Sequence, residues 1–318
     1  MVVNYFLSAF SALSTVNQSP FIASVLAILH TIRYNSIILR KNWINIVLFL
    51  ATVVSTTVAG ALMSGAEPGL SLSYFVSGVP FSASLLGILG VHELGHYFVS
   101  RHYGVKATLP YFIPFPTIIG TFGAVIKIKS PFPDRRALFD IGFAGPAAGF
   151  VVAVPILFIG LALSKIAPVP ELSSGSWHFG LGDSLLVWLA SKMVFGSISP
   201  GMELWLHPVA FAGWIGLFVT SLNLLPIGQL DGGHIIYAVF GEKAIRIARW
   251  AWVAMLPLVL FWSGWLVWAL LILILIRLRH PPTIYDWIPL GKKRKRLAVV
   301  ALVMFILTFI PKPFVVNL

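Results

Sequence analysis

His92-Glu93-Leu94-Gly95-His96 lies inside an apolar stretch that runs from about residue 77 to 101. Residues four apart share one face of a helix, so His92 and His96 can hold one metal ion together, with Glu93 beside that ion. From there the Glu93 carboxylate can take a proton from a water. Ionisable side chains are costly at membrane depth and by default mark function. Two histidines and a carboxylate within five residues form the arrangement of a zinc hydrolase. The alternative is a structural polar cluster buried between helices.

Composition sets the surroundings of this stretch. Of the 318 residues, 58% are hydrophobic and 10% charged, against roughly 25% charged in a soluble domain, so the chain reads as a polytopic membrane protein. The net charge of +12 does not argue for nucleic acid, because many of the basic residues fall in short loops, as the positive-inside rule expects. There is no cysteine, which excludes disulfides and thiolate ligands; any zinc must use His, Asp or Glu. The N-terminus lacks the basic lead and the clear small-residue cleavage site of a secretory signal. Two weakly apolar stretches around 5–14 and 20–32 are each shorter than the ~20 residues of a spanning helix, and their placement is open.

Working outward, seven segments read as crossings: 45–64, 77–101, 139–163, 206–226, 245–262, 264–278 and 297–311. The expected fold is therefore all-α, a polytopic transmembrane bundle of about seven crossings with room for an extra N-terminal segment. Domain boundaries are expected at 1–44 for an N-terminal segment, 45–311 for the membrane domain with its core at about 77–240, and 312–318 for a tail. Arg33, Arg40 and Lys41 put the start of the first crossing in the cytoplasm, and Arg101, Lys106, Lys127, Lys129, Arg135 and Arg136 mark the same side. Glu67, Glu171, Asp183 and Glu203 then fall outside. The stretch 245–278 suits a tight hairpin turning at Ser263-Gly264 or one long tilted helix; arginines at both ends favour the hairpin. The run Lys292-Lys293-Arg294-Lys295-Arg296 reads as a positive-inside anchor.

A catalytic zinc usually has three protein ligands and a water. Only ten acidic residues exist, and Asp231 is the one that follows directly on an apolar helix with a deliberately broken end. Pro226 and Gly228 end regular helix, and Gly232-Gly233 let the backbone turn closely after the aspartate. Irregular backbone at membrane depth is tolerated only where it lines a cavity or is buried in protein. Taken alone, Asp231 could equally be an ordinary Asp-Gly turn residue.

The chain also reads Asn223-x-x-Pro226-x-x-x-Leu230-Asp231-Gly232. H-E-x-x-H in one membrane segment and N-x-x-P-x-x-x-L-D-G in a later one resemble the site-2 protease family of intramembrane zinc metalloproteases, over roughly residues 45–311. The resemblance implies that His92, His96 and Asp231 ligate one zinc ion and that Glu93 activates water. It implies that Asn223 helps to hold the substrate backbone or the oxyanion. It further implies a membrane-spanning protein substrate cut near the cytoplasmic side, at a site within the bilayer and open to the cytoplasm. Many members carry a PDZ domain between the motif helices and some a CBS pair; this chain has room for neither and looks like a minimal member. A metal-ion transporter is the rival reading, but a carrier does not need a glutamate beside the first histidine. An inactive, substrate-binding member is the other rival, and the presence of every expected catalytic residue argues against it.

The surroundings of the motif carry three further signals. Gly142, Gly145 and Gly149 make one smooth helix face suited to close contact with the histidine helix, which has small residues of its own at Gly87, Gly90 and Gly95. The alternation over 122–129 reads as a strand whose edge could receive unwound substrate. His234 could be a ligand but reads better as an interfacial side chain, and His30, His102, His178, His207 and His280 read as ordinary loop or interfacial residues.

Overall fold

The computed structural model describes residues 20–168 and 178–317, with side chains described for 42–168 and 180–314. The 5–14 stretch and Glu171 lie outside those residues. The chain divides into compact units 1–47 and 48–318, and the second carries both motifs. Helix α1 (Pro20–Met63) takes in the 20–32 stretch whose placement the sequence leaves open. Then come α2 (Leu72–His102), a hairpin of β1 (Tyr111–Pro114) and β2 (Thr121–Val125), and α3 (Arg135–Leu163). The connection that follows holds β3 (Lys165–Pro168), β4 (His178–Leu181), α4 (Leu185–Phe195) and β5 (Met202–Trp205). Helices α5 (Pro208–Asn223), α6 (Asp231–Phe240), α7 (Ala244–Met255), α8 (Gly264–Leu271) and α9 (Lys292–Thr308) follow, and β6 (Phe314–Asn317) ends the order.

The fold is all-α and that of a polytopic membrane protein, but the expectation of about seven crossings needs correction. Among the described residues, three helices are long and apolar enough to cross a bilayer by length and composition: Asn42–Met63 of α1, α2 and α3. Helix α5 stops after 16 residues, below the ~20 of a perpendicular span, because the chain leaves helix at Leu224 to seat Asp231. The stretch 245–278 folds as the hairpin, with the Trp252 indole N–H donating to the Ala269 carbonyl at 3.1 Å. Its arms are shorter than the hydropathy pattern predicts, because a 3-10 turn over Leu256–Leu260 ends the first and a wide π turn over Ile272–Ile276 ends the second.

Inside the bundle, small and hydroxyl-bearing residues mark the closest helix contacts, beside a core of large apolar side chains, while further large apolar residues face outward. Thr56 and Ser82 share a 2.7 Å hydrogen bond between α1 and α2. On the outside, Val76, Val79, Val151 and Ile159 are exposed. Phe81, Leu85, Ile88, Leu157, Trp214 and Leu217 fill the core between α2, α3 and α5, which fixes those three helices around the motif.

The expected strand is shorter than 122–129, since β2 ends at Val125. Pairing nevertheless continues past it: the Thr108 N–H donates to the Lys127 carbonyl at 3.0 Å and the Lys129 N–H to the Lys106 carbonyl at 2.7 Å. Residues 121–129 thus have one edge paired with their own hairpin and the other, the free edge, without a strand partner among the described residues. The remaining two-stranded sheets among the described residues are β3–β5 and β4–β6.

Candidate metal centre

Helix α2 carries His92, Glu93 and His96 on its buried side, and all three are under one tenth exposed. Helix α3 lies against that face through its glycines. A Cβ at Gly145 would land on the His96 ring, and one at Gly149 would come within 3.0 Å of His92 Nδ1. Gly95 returns the contact against the Ala144 carbonyl, whereas among the described residues a Cβ at Gly87 would have open space around it and one at Gly90 would meet Phe112 of the hairpin. The smooth-face reading of α3 therefore holds for Gly145 and Gly149, whereas Gly142 lies against His234, and on the histidine helix only Gly95 of the three small residues meets α3.

Asp231 arrives by a different route. After Asn223 ends α5, residues 224–230 run without regular helix, and Gly228 takes a left-handed φ of 56° directly beneath the Arg277 carbonyl. A side chain there would meet both strain and a carbonyl oxygen. Gly232 and Gly233 press against the carbonyls of Leu224 and Gly228, so the turn folds back on itself and α6 begins with Asp231 facing the histidines.

The result is a nearly equilateral triangle. His92 Nε2 and His96 Nε2 lie 3.2 Å apart, and each is 3.3 Å from Asp231 Oδ2. Zinc–nitrogen and zinc–oxygen bonds of ~2.0–2.1 Å place two ligands of a tetrahedron ~3.4 Å apart, so these atoms form one face of such a tetrahedron. The His96 Nδ1–H donates to the Ile141 carbonyl at 2.7 Å, which leaves the Nε2 lone pair free toward the triangle. His92, His96 and Asp231 can therefore hold a single zinc ion. Asn223 Nδ2 lies 3.3 Å from His92 Nε2. The Ile126 backbone N–H, on the free edge of the hairpin, is directed at the Glu93 carboxylate.

All five residues expected of the site line one cavity of about 390 Å³, which residues 124–128, the stretch Gln229 to Asp231 and His234 also line. His234 is not among the metal-holding atoms. Its Nδ1 lies 2.7 Å from Nε2 of His280, a residue that reads as ordinary in the sequence. Nothing local marks His280. It comes into place because residues 277–291 are laid along 132–134, where Ile284 and Tyr285 donate to the Phe132 and Pro133 carbonyls and Arg135 pairs with Asp286 at 2.5 Å. Burial pushes His280 down to about 4, so its ring is neutral at neutral pH. His207 caps α5 by accepting from the Val209 N–H, and His102 ends α2 beside Tyr103. The side chains of His30 and His178 lie outside the described residues.

A helical membrane protein with a buried two-histidine, one-aspartate site that can hold zinc, and a glutamate next to the first ligand, falls in the class of membrane-embedded metalloproteins with a hydrolase motif. More particularly, the chain belongs to peptidase family M50, the site-2 zinc metalloprotease family, whose model matches residues 80–262. It is 36% identical over 255 residues to "Probable zinc metalloprotease EGY1, chloroplastic" of Arabidopsis thaliana, covering 77% of this chain and 45% of that protein. It is 31% identical over 247 residues to "Probable zinc metalloprotease EGY2, chloroplastic" of the same plant, covering 77% and 44%. With "Probable zinc metalloprotease EGY3, chloroplastic" of Oryza sativa subsp. japonica it shares 31% over 283 residues, covering 82% and 47%. The chain spans less than half the length of these relatives.

Proposed function

We propose that the chain is an intramembrane zinc endopeptidase that hydrolyses peptide bonds in the transmembrane segments of membrane-anchored proteins. The observation that carries this reading is the 3.2–3.3 Å triangle of His92, His96 and Asp231 with Glu93 in the same cavity wall. In this reading those three residues are the ligands. Bound there, zinc supplies a Lewis acid for the scissile carbonyl and a water acidified toward neutrality. Glu93 accepts the proton of the attacking water and returns it to the leaving amine. The Ile126 N–H holds the Glu93 carboxylate in one orientation between those two transfers. Asn223 donates its amide to the carbonyl oxygen as negative charge develops on it.

The protease domain is taken as residues 45–311. Its cavity opens to the cytoplasm in this reading, supported by Arg101, Lys106, Arg135, Arg136 and the 292–296 run near the same helix ends. Glu93→Gln tests the assignment. Cleavage of a single-span substrate by purified protein in detergent should vanish while zinc content stays at one per chain. Equal cleavage by both forms would refute the role of Glu93.

A helix hides its own peptide bonds, so the bond to be cut must be extended. We assign its docking edge to the free side of residues 124–128, by strand addition. Backbone groups of a strand alternate between its edges. Lys127 donates its N–H to Thr108 within the hairpin, so positions 125 and 127 face the partner strand, and 124, 126 and 128 face the cavity. Proline at 124 or 128 should therefore depress cleavage at unchanged zinc content, while wild-type rates in both would exclude edge docking.

A further inference from the structure

Among the described residues His234 makes one side-chain hydrogen bond, and its direction can be settled without locating a proton. The Pro281 carbonyl can only accept, and His280 Nδ1 lies 2.5 Å from it, so His280 carries its proton on Nδ1. His280 Nε2 is then a lone pair, and the atom 2.7 Å away, His234 Nδ1, must be the donor. His234 Nε2 is therefore an acceptor. It has no hydrogen-bond partner among the described residues and is not among the sealed-off buried atoms. The ring is held by Phe132 at 5.4 Å and by His280 at 4.9 Å between centroids, and its Cβ lies against Gly142. The side chain is thus fixed in the lining of the cavity that also holds Glu93 and residues 124–128.

An extended peptide docked on residues 124–128 satisfies only half of its backbone groups there, because alternate N–H and C=O groups point the other way. We propose that His234 is a substrate-binding residue whose Nε2 accepts a backbone N–H from that outward edge, so that the peptide is clamped between strand and imidazole. The His234–His280–Pro281 chain is the device that keeps the acceptor facing the peptide. This inference rests on the proteolytic reading for the identity of the ligand.

The two nitrogens of His234 can be tested apart. In His234→Asn the amide reaches the Nδ1 position and keeps the link to His280 but leaves nothing at Nε2. In His234→Gln an amide reaches the Nε2 position and the link is lost. The experiment is the binding of a fluorescent single-span peptide in detergent to zinc-loaded protein carrying Glu93→Gln, alone and combined with each variant. His234→Asn should weaken binding roughly three- to tenfold and His234→Gln by less than about twofold, the scale of one hydrogen bond. The opposite order would make His234 a structural partner of His280 and overturn the proposal, as would equal binding by all three or no binding by the parent. Wild-type protein is assayed for cleavage of the same peptide in parallel. A lack of cleavage there would remove the proteolytic reading, and the order of affinities would still decide whether His234 holds the peptide.

Discussion

The helices around the metal triangle and the hairpin of α7 and α8 are both apolar, yet different contacts hold them. Around the triangle, backbone comes against ring: Gly145 and Gly149 of α3 leave room for His96 and His92, and Gly95 meets the Ala144 carbonyl. In the hairpin, indole meets carbonyl: Trp252 donates to Ala269, and Trp265 ties the hairpin to the end of α9 through the Pro311 carbonyl at 2.8 Å. Lipid tails are as apolar as leucine, so neither region is drawn together by the hydrophobic effect. Close approach makes the first region intolerant of a single added atom. The second should lose one hydrogen bond at a time.

The largest effect expected from this contrast is at Gly145. Its Cβ would fall on the His96 ring, and that ring cannot swing away without giving up the Ile141 carbonyl on the same helix α3. Gly145→Ala should lower zinc affinity by at least about tenfold, the scale of losing an orienting contact to a ligand, and should abolish cleavage; metal content at limiting zinc measures it. Gly149→Ala should do the same more gently, because at 3.0 Å from His92 Nδ1 a shift of a few tenths of an ångström relieves the contact. Full zinc occupancy in Gly145→Ala would show that the glycine face is not what positions the ligands.

The same contrast separates what is legible in the sequence from what is not. Periodicity and small-residue spacing are local, so the motif helix, the glycine face of α3 and the turn of the hairpin are all legible. Asp231 is legible because Pro226, Gly228, Gly232 and Gly233 surround it with helix-breaking residues. What escapes depends on contacts across long separations. Arg294 reads as one unit of a membrane anchor, but it forks onto Asp140 at 2.7 and 2.8 Å with Tyr103 closing the group. His234 and His280 stand 46 residues apart with no shared pattern. The strand over 122–129 is visible as an alternation of side chains, but alternation does not say which edge is paired, and only the pairing shows which positions a proline would disturb. Hydropathy overestimates the number of crossings for a related reason: it does not reveal where α5 must unwind to bring Asp231 to the histidines.

Smaller effects sharpen the comparison from the hairpin side. Trp265 is fully buried, so Trp265→Phe both leaves the Pro311 carbonyl without its donor and opens space. Thermal unfolding in detergent should show a loss of about 1–3 kcal/mol, with zinc content unchanged. Trp252 is only partly buried, and Trp252→Phe should cost about 0.5–1 kcal/mol, near the net value of one hydrogen bond. A change in zinc affinity in either variant would mean that the hairpin and the metal site are coupled rather than separately held.

Trp268 provides the smallest and most discriminating case. It lies on α8 like Trp265, three residues on, but its indole N–H is buried without a partner among the described residues. If indole-to-carbonyl bonds hold the hairpin, removing an unbonded N–H should cost almost nothing, and relief of its lost solvation should offset the reduced packing. Trp268→Phe should then unfold within about 0.5 kcal/mol of wild type, clearly above Trp265→Phe. A loss as large as that of Trp265→Phe would show that bulk, not the hydrogen bond, is what each tryptophan contributes, and the hairpin would then be packed by contact like the helices around the metal.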